Sequence, residues 1–342
     1  MCDGQRSRIG GGRAGRGGAT GRGDAPVSRG WVRASAPATV ANVGCGFDVF
    51  GFALERPGDV VAARTSSRPG IVITEITGDG GQLTRDPERN TAGVALARLL
   101  REISGERAPG IELRVDKGVP LESGLGSSAA SAVAAVVAVD ALLDLRAPRE
   151  LLLTCAAEGE RAVASAAHAD NAASSLYGGF VLVRDAAPRV VELPVPAGLA
   201  CAVVRPHAAV ASRAARAVLG QHVELHRAVT QWGNTAALVA ALFRSDLTLL
   251  ASALHDEVAE PARAPLAPGL SAMQAAARKT GALGCSLSGS GPSAFALCAS
   301  LAVARVSAAQ MAAALVEATG LASDVYISIV GAPGARLLAE GE

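Results

Sequence analysis

The stretch that leaves this chain the fewest options is Val119-Pro120-Leu121-Glu122-Ser123-Gly124-Leu125-Gly126-Ser127-Ser128-Ala129-Ala130-Ser131. Before it, Ile111, Leu113 and Val115 alternate with Glu112 and Arg114, the period of a half-buried strand. After it, Ala132 to Leu143 is an apolar, Ala-rich run with strong helix formers. The segment reads as strand, glycine-rich loop, helix. Gly124 and Gly126 let the backbone approach a ligand with no Cβ in the way. Ser127 and Ser128 bring hydroxyls and backbone N–H groups to a helix N-terminus, whose partial positive charge suits a phosphate. A serine-capped helix behind flexible glycines is the plainer alternative, and local physics leaves both open. The loop is not a Walker loop, because no Gly-Lys-Ser/Thr follows, and Ala129 spoils a Gly-x-Gly-x-x-Gly reading.

The remaining sequence narrows the class. Half of the 342 residues are hydrophobic but only 3% are aromatic, so the core must be built from Ala, Val and Leu. A net charge of +1 and the lack of a base-stacking platform argue against nucleic acid or a membrane surface as partner. The apolar run around Ala129 to Leu143 is interrupted by Asp140 and too short to span a bilayer, and the N-terminus lacks a hydrophobic signal segment. The six cysteines are scattered without a Cys-x-x-Cys pair, which predicts reduced thiols in a cytoplasmic enzyme. Residues 1–30 hold ten glycines, six arginines and two acids, the composition of a disordered tail. Without interleaved aromatics, a solvated extension is favoured over an RNA-binding arm.

From Trp31 onward strands and helices mix, which predicts an α+β protein. Strand segments are expected over 31–75, broken by Pro37, Gly44, Gly46, Pro57 and Pro69. A helix is expected over Asn90 to Ile103 and another from Pro148 to about Ser165. His168-Ala169-Asp170-Asn171 is expected to be a loop. The Pro-rich segment 186–198 suggests a boundary between domains at 31–185 and 186–342. Beyond it a long helix is expected over 223–243, then a second glycine loop, Leu287-Ser288-Gly289-Ser290-Gly291-Pro292-Ser293. That loop lacks the spacing of a nucleophile elbow and reads as a turn close to a substrate. His222 and His226, at i and i+4, lack a third ligand and read as a helix face.

Two further groups could carry chemistry. Asn42 and Asp48 bracket a tight turn, Asn42-Val43-Gly44-Cys45-Gly46-Phe47-Asp48, inside apolar sequence; they are either paired structurally or used on a ligand. Glu160 could ligate Mg²⁺ together with a serine hydroxyl, or be a solvated helix carboxylate.

Taken together, these segments resemble the GHMP small-molecule kinases, and within them the homoserine kinase family. The resemblance rests on Pro120 to Ala130, on Asn42-x-Gly-x-Gly-Phe-Asp48, on Glu160 followed by His168-Ala-Asp170-Asn171, and on Leu287 to Ser293. It covers about residues 32–332. It implies a ribosomal-protein-S5-like N-terminal domain with a ferredoxin-like α/β C-terminal domain. It also implies ATP on Pro120 to Ala130, with Mg²⁺ on Ser128 and Glu160. The amino-acid substrate, L-homoserine, would be held by Asn42, Asp48, His168, Asn171, Gly289, Arg216 and Arg263. In this reading the arginines take the α-carboxylate and Asp48 the α-ammonium. Asp170 and Asn171 would lie nearest the reacting hydroxyl, and only Asp170 could accept its proton. The implied reaction makes O-phospho-L-homoserine, a step of threonine biosynthesis, and relatives leave room for a homodimer. Another kinase of this superfamily acting on a different small alcohol, or a catalytically inactive ATP-binding homologue, would share the loop. Cys45, Gly220 and Ala172-Ala173-Ser174 depart from the family's usual residues, which puts local loop geometry in question.

Overall fold

The computed structural model describes residues 30–104, 108–164, 169–184 and 189–339. The first half runs β1 (Val32–Ala41), β2 (Phe50–Ser66), β3 (Ile71–Thr77), α1 (Thr91–Ser104), β4 (Gly110–Asp116), α2 (Ser127–Leu142), α3 (Arg149–Ala164), α4 (Ala169–Tyr177), β5 (Phe180–Arg184) and β6 (Arg189–Leu193). The second half runs β7 (Ala200–Pro206), α5 (Ser212–Ala217), α6 (Leu225–Arg244), α7 (Leu247–Ala253), α8 (Ala259–Arg263), α9 (Leu270–Lys279), β8 (Gly284–Leu287), β9 (Ala294–Cys298), α10 (Leu301–Thr319), β10 (Ser323–Ile329) and β11 (Arg336–Leu337).

The first sheet has the order β11-β1-β2-β4-β3, with β5 pairing the start of β2 and β6 pairing β5. The second is four-stranded, β10-β7-β9-β8, and antiparallel throughout. Strands β7 and β9 are buried on both faces, and their alternation divides two cores. Cys201, Val203, Phe295 and Leu297 face the first sheet, whereas Ala200, Ala202, Ala294 and Ala296 face α9 and α10. Phe52 on β2 meets Phe295 on β9 edge-on at 6.3 Å, so one of the few aromatic contacts joins the two halves. Helix α10 is long and apolar enough to cross a membrane by length and composition, but Ala304, Ala308, Met311 and Leu315 bury it on β7 and α9.

Helix α2 is the axis of the first half. It lies on β1 and β2 with α1 and α3 beside it, and between its serine-rich first turn and Asp140 its residues are apolar and buried on nearly every side. Alanines at 129, 130, 132, 134, 135 and 138 let neighbouring backbones come close. Gly159 on α3 completes the fit, since a Cβ there would stand 2.5 Å from the Thr91 carbonyl and 3.3 Å from Ala132. This close crossing carries the next residue, Glu160, to the N-terminal end of α2.

Several sequence expectations change. Pro37 and Pro57 do not end strands: β1 runs through Pro37 and β2 through Pro57. The register shifts between Pro37↔Gly58 and Thr39↔Ala53, so Pro57 falls in the excursion where no ladder bond is required. Asp170 and Asn171 are not in a loop but in the first turn of α4. Segment 186–198 contains β6, which pairs with β5 and so belongs to the first sheet, and β11 returns the chain's end to β1. A cut at residue 185 would therefore separate β6 from β5, the strand it pairs with.

Candidate active site

The glycine loop leaves β4 and enters α2 through Gly126, which has φ 70 and caps the helix without a side-chain hydrogen bond. The leading N–H groups of α2 are thus free of a side-chain cap, the arrangement that receives an anion. Its glycines serve packing first. A Cβ on Gly124 would lie 2.4 Å from the Ser288 carbonyl, and one on Gly126 would lie 2.3 Å from the Thr39 hydroxyl. The loop is also tied to itself: Ser123 Oγ donates to the Pro120 carbonyl at 2.7 Å and Ser127 Oγ to the Val119 carbonyl at 2.8 Å. Leu121, Glu122, Ser123, Gly124, Gly126, Ser127 and Ser128 line a cleft of about 400 Å³. Pro120, Leu125, Ala129 and Ala130 do not line it, and the last three bury their side chains in the core.

Beneath the loop lies a network that sequence reasoning missed. The Lys117 ammonium donates to Asp59 Oδ2, to the Ser127 carbonyl at 2.7 Å and to Ser131 Oγ at 2.8 Å. Asp59 Oδ1 accepts the N–H groups of Gly118 at 3.0 Å and Val119 at 2.9 Å. One buried ion pair therefore ties strand β2 to both ends of the loop. Burial pulls the lysine pKa down while Asp59 opposes the shift. The available signal was a lone lysine three residues before Pro120, with its partner on a distant strand.

The second glycine loop braces the first from the other half. Ser288 Oγ donates to the Gly124 carbonyl at 2.8 Å, and the Ser293 N–H to the Ser123 carbonyl at 3.3 Å. Gly289 N–H donates to Ala41, while its carbonyl accepts Asn42 Nδ2 and Arg263 Nη1, both at 3.0 Å.

Glu160 and Ser128 meet where α3 crosses the start of α2, with Ser128 Oγ donating to Glu160 Oε1 at 2.7 Å. Burial pushes the Glu160 carboxyl up to about 7, the serine bond opposing and Asp170 adding to the rise. Asp170 is likewise pushed up to about 7, by burial and then by the nearby Asp48 charge. Asn171 is oriented by Thr39, whose Oγ1 donates to Asn171 Oδ1 at 2.7 Å. Thr39 is a positioning residue absent from the sequence expectation, because nothing marks a buried threonine within a strand.

Farther along the cleft, charges converge from separate segments. Arg216 at the end of α5 donates to Asp48 Oδ2 at 2.7 Å. Asn42, at φ 70, accepts the Asp48 N–H at 3.2 Å, so both its polar groups are spent on the turn and on Gly289. The turn is held from behind as well: the Cys45 carbonyl accepts Gln231 Nε2 at 2.7 Å and Thr235 Oγ1 at 3.1 Å. Arg263 is buried over the Phe47 ring at 5.1 Å, and Arg216 stands over the same ring at 5.2 Å. Asp256 accepts the N–H groups of Val258 and Glu260, both at 2.8 Å, and so fixes the short α8 that carries Arg263. Among the described residues Arg263 forms no ion pair with a carboxylate; it donates to the Ala215 and Gly289 carbonyls. Burial lowers its pKa, opposed by Asp48. Asn42, Asp48, Asp170, Asn171, Arg216, Arg263 and Gly289 thus share one cleft with the first glycine loop. His168 lies outside the described residues.

The family models for the N-terminal and C-terminal domains of GHMP kinases match residues 90–179 and 238–317. A homoserine kinase of Chlorobium phaeobacteroides is 45% identical over 318 residues, covering 90% of this chain and 99% of that protein. The chain belongs to the GHMP kinases, on their homoserine kinase branch. A homoserine kinase of Xylella fastidiosa is 41% identical over 308 residues, covering 90% of this chain and 94% of its own. The crystal structure of homoserine kinase from Cytophaga hutchinsonii superposes with a TM-score of 0.86 at 46% identity, over 90% of this chain and 97% of that one. In this GHMP kinase the two glycine loops are the two ends of one brace.

Proposed function

We infer that the protein transfers the γ-phosphoryl group of ATP to the side-chain hydroxyl of L-homoserine, giving O-phospho-L-homoserine for threonine biosynthesis. The observation that carries this reading is a single cleft with a capless helix N-terminus at one end and paired opposite charges at the other. The first end suits a polyphosphate and the second suits a zwitterion. A substrate ammonium would take over Asp48, and its carboxylate would fall to Arg216 and to Arg263, which has no carboxylate of its own among the described residues.

Phosphoryl transfer asks mainly for alignment and charge neutralisation. The chain supplies alignment through the interlocked loops and through Asn171, held by Thr39. Ser128 Oγ and Glu160 Oε1, 2.7 Å apart, are hard oxygens near the edge length of a Mg²⁺ octahedron, about 2.9 Å. They fit the ion, which when bound would neutralise charge on the β- and γ-phosphates. Glu160 would release a proton to take that role near neutral pH. Asp170, with its carboxyl near 7, is suited to accept the hydroxyl proton. Asp170→Asn should lower kcat by about 10²-fold or more, whereas a change below about three-fold would remove Asp170 as the base.

The direct experiment is ATP-dependent ADP release in the presence of Mg²⁺, with L-homoserine, mevalonate, galactose or no acceptor. Stimulation by L-homoserine alone is expected. Stimulation by another alcohol would keep the phosphate end and overturn the assignment of Asp48, Arg216 and Arg263, and ATP binding without turnover would mark an inactive homologue.

A further inference from the structure

Asp48 and Arg263, the two charges assigned to the acceptor, stand on segments far apart in the chain. Asp48 closes the turn that begins at Asn42, and Arg263 ends the short helix α8. Helix α6 brings those segments together. Arg227, Gln231, Asn234 and Thr235, at spacings of four, three and one residues, share one face of it. Each donates to a backbone carbonyl outside the helix: Arg227 to Glu257, Asn234 to His255 at 3.0 Å, Thr235 to Cys45 at 3.1 Å and Gln231 to Cys45 at 2.7 Å. Of the four, Gln231 alone bonds both segments. Its Nε2 also donates to Asp256 Oδ1 at 3.0 Å, and its Oε1 accepts the Glu257 N–H at 2.8 Å. The residue is 8% exposed.

Both things it joins bear on the site. Asp256 caps α8, whose Glu260 is fixed in turn by the Leu287 N–H at 2.9 Å and Gln274 Nε2 at 2.7 Å. Cys45 lies three residues before Asp48, and between them Phe47 puts its ring under Arg263 at 5.1 Å. The turn and the strap at 254–257 are pressed together, since a Cβ on Gly44 would stand 2.4 Å from the Leu254 carbonyl. One amide can therefore span them. We propose that Gln231 is a positioning residue for the acceptor: by tying Cys45 to Asp256 it fixes Asp48 relative to Arg263, and so the fit of an ammonium and a carboxylate carried on one carbon. This role presupposes that Asp48 takes the ammonium and Arg263 the carboxylate. The first glycine loop and the Asp170–Asn171 pair stand on other elements, so the effect of Gln231 belongs to acceptor binding. Two acceptors and one donor face the side chain, which is the pattern an amide answers; an ionised carboxylate in its place has no proton to give.

Steady-state ADP release and amide hydrogen exchange of the full chain test this together. Gln231→Leu should raise KM for L-homoserine about 30-fold, with kcat within about three-fold and KM for ATP within about two-fold. Without ligands it should speed exchange about ten-fold in both 42–50 and 256–263 and leave 119–131 unchanged. Gln231→Glu keeps the size of the side chain and guards against a folding defect. Its KM for L-homoserine should lie within about three-fold of wild type at about pH 6, where a protonated carboxyl can still donate, and rise to about 30-fold at about pH 8.5 as it ionises against Asp256. The other charged groups around position 231 are Arg227, one turn earlier, and Glu257 with its His255 contact at 3.1 Å; wild type carries them at each pH. The Cys45 thiol, pushed up to about 12 by burial, stays neutral throughout. Equal rises in KM for both substrates, a loss confined to kcat, or a Gln231→Glu ratio that does not move with pH would overturn the proposal. So would wild-type exchange in either segment. Faster exchange in both segments with KM for L-homoserine unmoved would overturn the assignment of Asp48 and Arg263, and the role of Gln231 with it.

Discussion

The two ends of the cleft are built in different ways. The end proposed to hold phosphates is a continuous stretch of sequence whose serine hydroxyls are already bonded and whose base is anchored: Ser123 and Ser127 each close a loop bond, Ser288 braces the stretch from the second glycine loop, and Lys117 with Asp59 holds it from beneath. The acceptor end is assembled from five segments far apart in the chain, and its charges are held in provisional arrangements. Asp48 and Arg216 hold each other, and Arg263 rests on two carbonyls. One end is preorganised by packing, while the other must exchange its internal pairs for a ligand. Damage at the first end should spread to stability and nucleotide use. Damage at the second should stay with the acceptor.

The largest effect is expected where the two ends meet. Glu160→Gln removes the carboxylate that faces Ser128 and should lower kcat about 10³-fold in steady-state assays, with KM for L-homoserine within about three-fold. An unchanged kcat would separate Glu160 from the reaction. Next, Lys117→Met leaves Asp59 buried and unpaired, which should cost about 3 kcal/mol in denaturant titration and raise KM for ATP. If unfolding is unaffected, the phosphate end is not held from beneath as described. Arg263→Leu should reduce kcat/KM for L-homoserine about 10²-fold while KM for ATP stays within about two-fold, and Arg263→Lys should recover little because an ammonium cannot hold a carboxylate bidentately. Equal losses for both substrates would dissolve the contrast between the ends.

The smallest effect concerns stability against pH. Asp170 titrates near 3.8 in the unfolded chain and about 7 in the fold. A raised carboxyl pKa means that stability is full below the unfolded value, falls as pH rises between the two, and stays reduced above the folded value. Asp170→Asn should therefore raise Tm by about 2 °C at pH 8 and leave it nearly unchanged at pH 4, read by thermal melts at both. A gain of equal size at both would mean that the aspartate charge carries no folding penalty.

Legibility follows the same division. The phosphate loop can be read because strand, glycines and helix are consecutive, and each element announces itself by period or composition. Even there the reason for the glycines is incomplete in the sequence: they make room for Ser288 and Thr39 as well as for a ligand. Glu160, Asp48, Arg216 and Arg263 come together only through family resemblance, since no local pattern relates residues joined by tertiary packing. Thr39 and Lys117 escape notice because their partners, Asn171 and Asp59, lie 132 and 58 positions away. The strands through Pro37 and Pro57 are misread for a related reason: a proline is harmless where the register slips, and a slip shows only when the partner strand is in place. Asp170 and Asn171 read as a loop because the sequence alone does not show where α4 begins.

The most direct test of the acceptor end compares kcat/KM for L-homoserine, 4-hydroxybutyrate and L-homoserine amide in the ADP-release assay. Removing the ammonium or the carboxylate should each reduce kcat/KM by about 10²-fold or more, because a charged side chain would be left without its partner. Comparable values for all three would contradict the zwitterion-reading site and leave only the phosphate end as described.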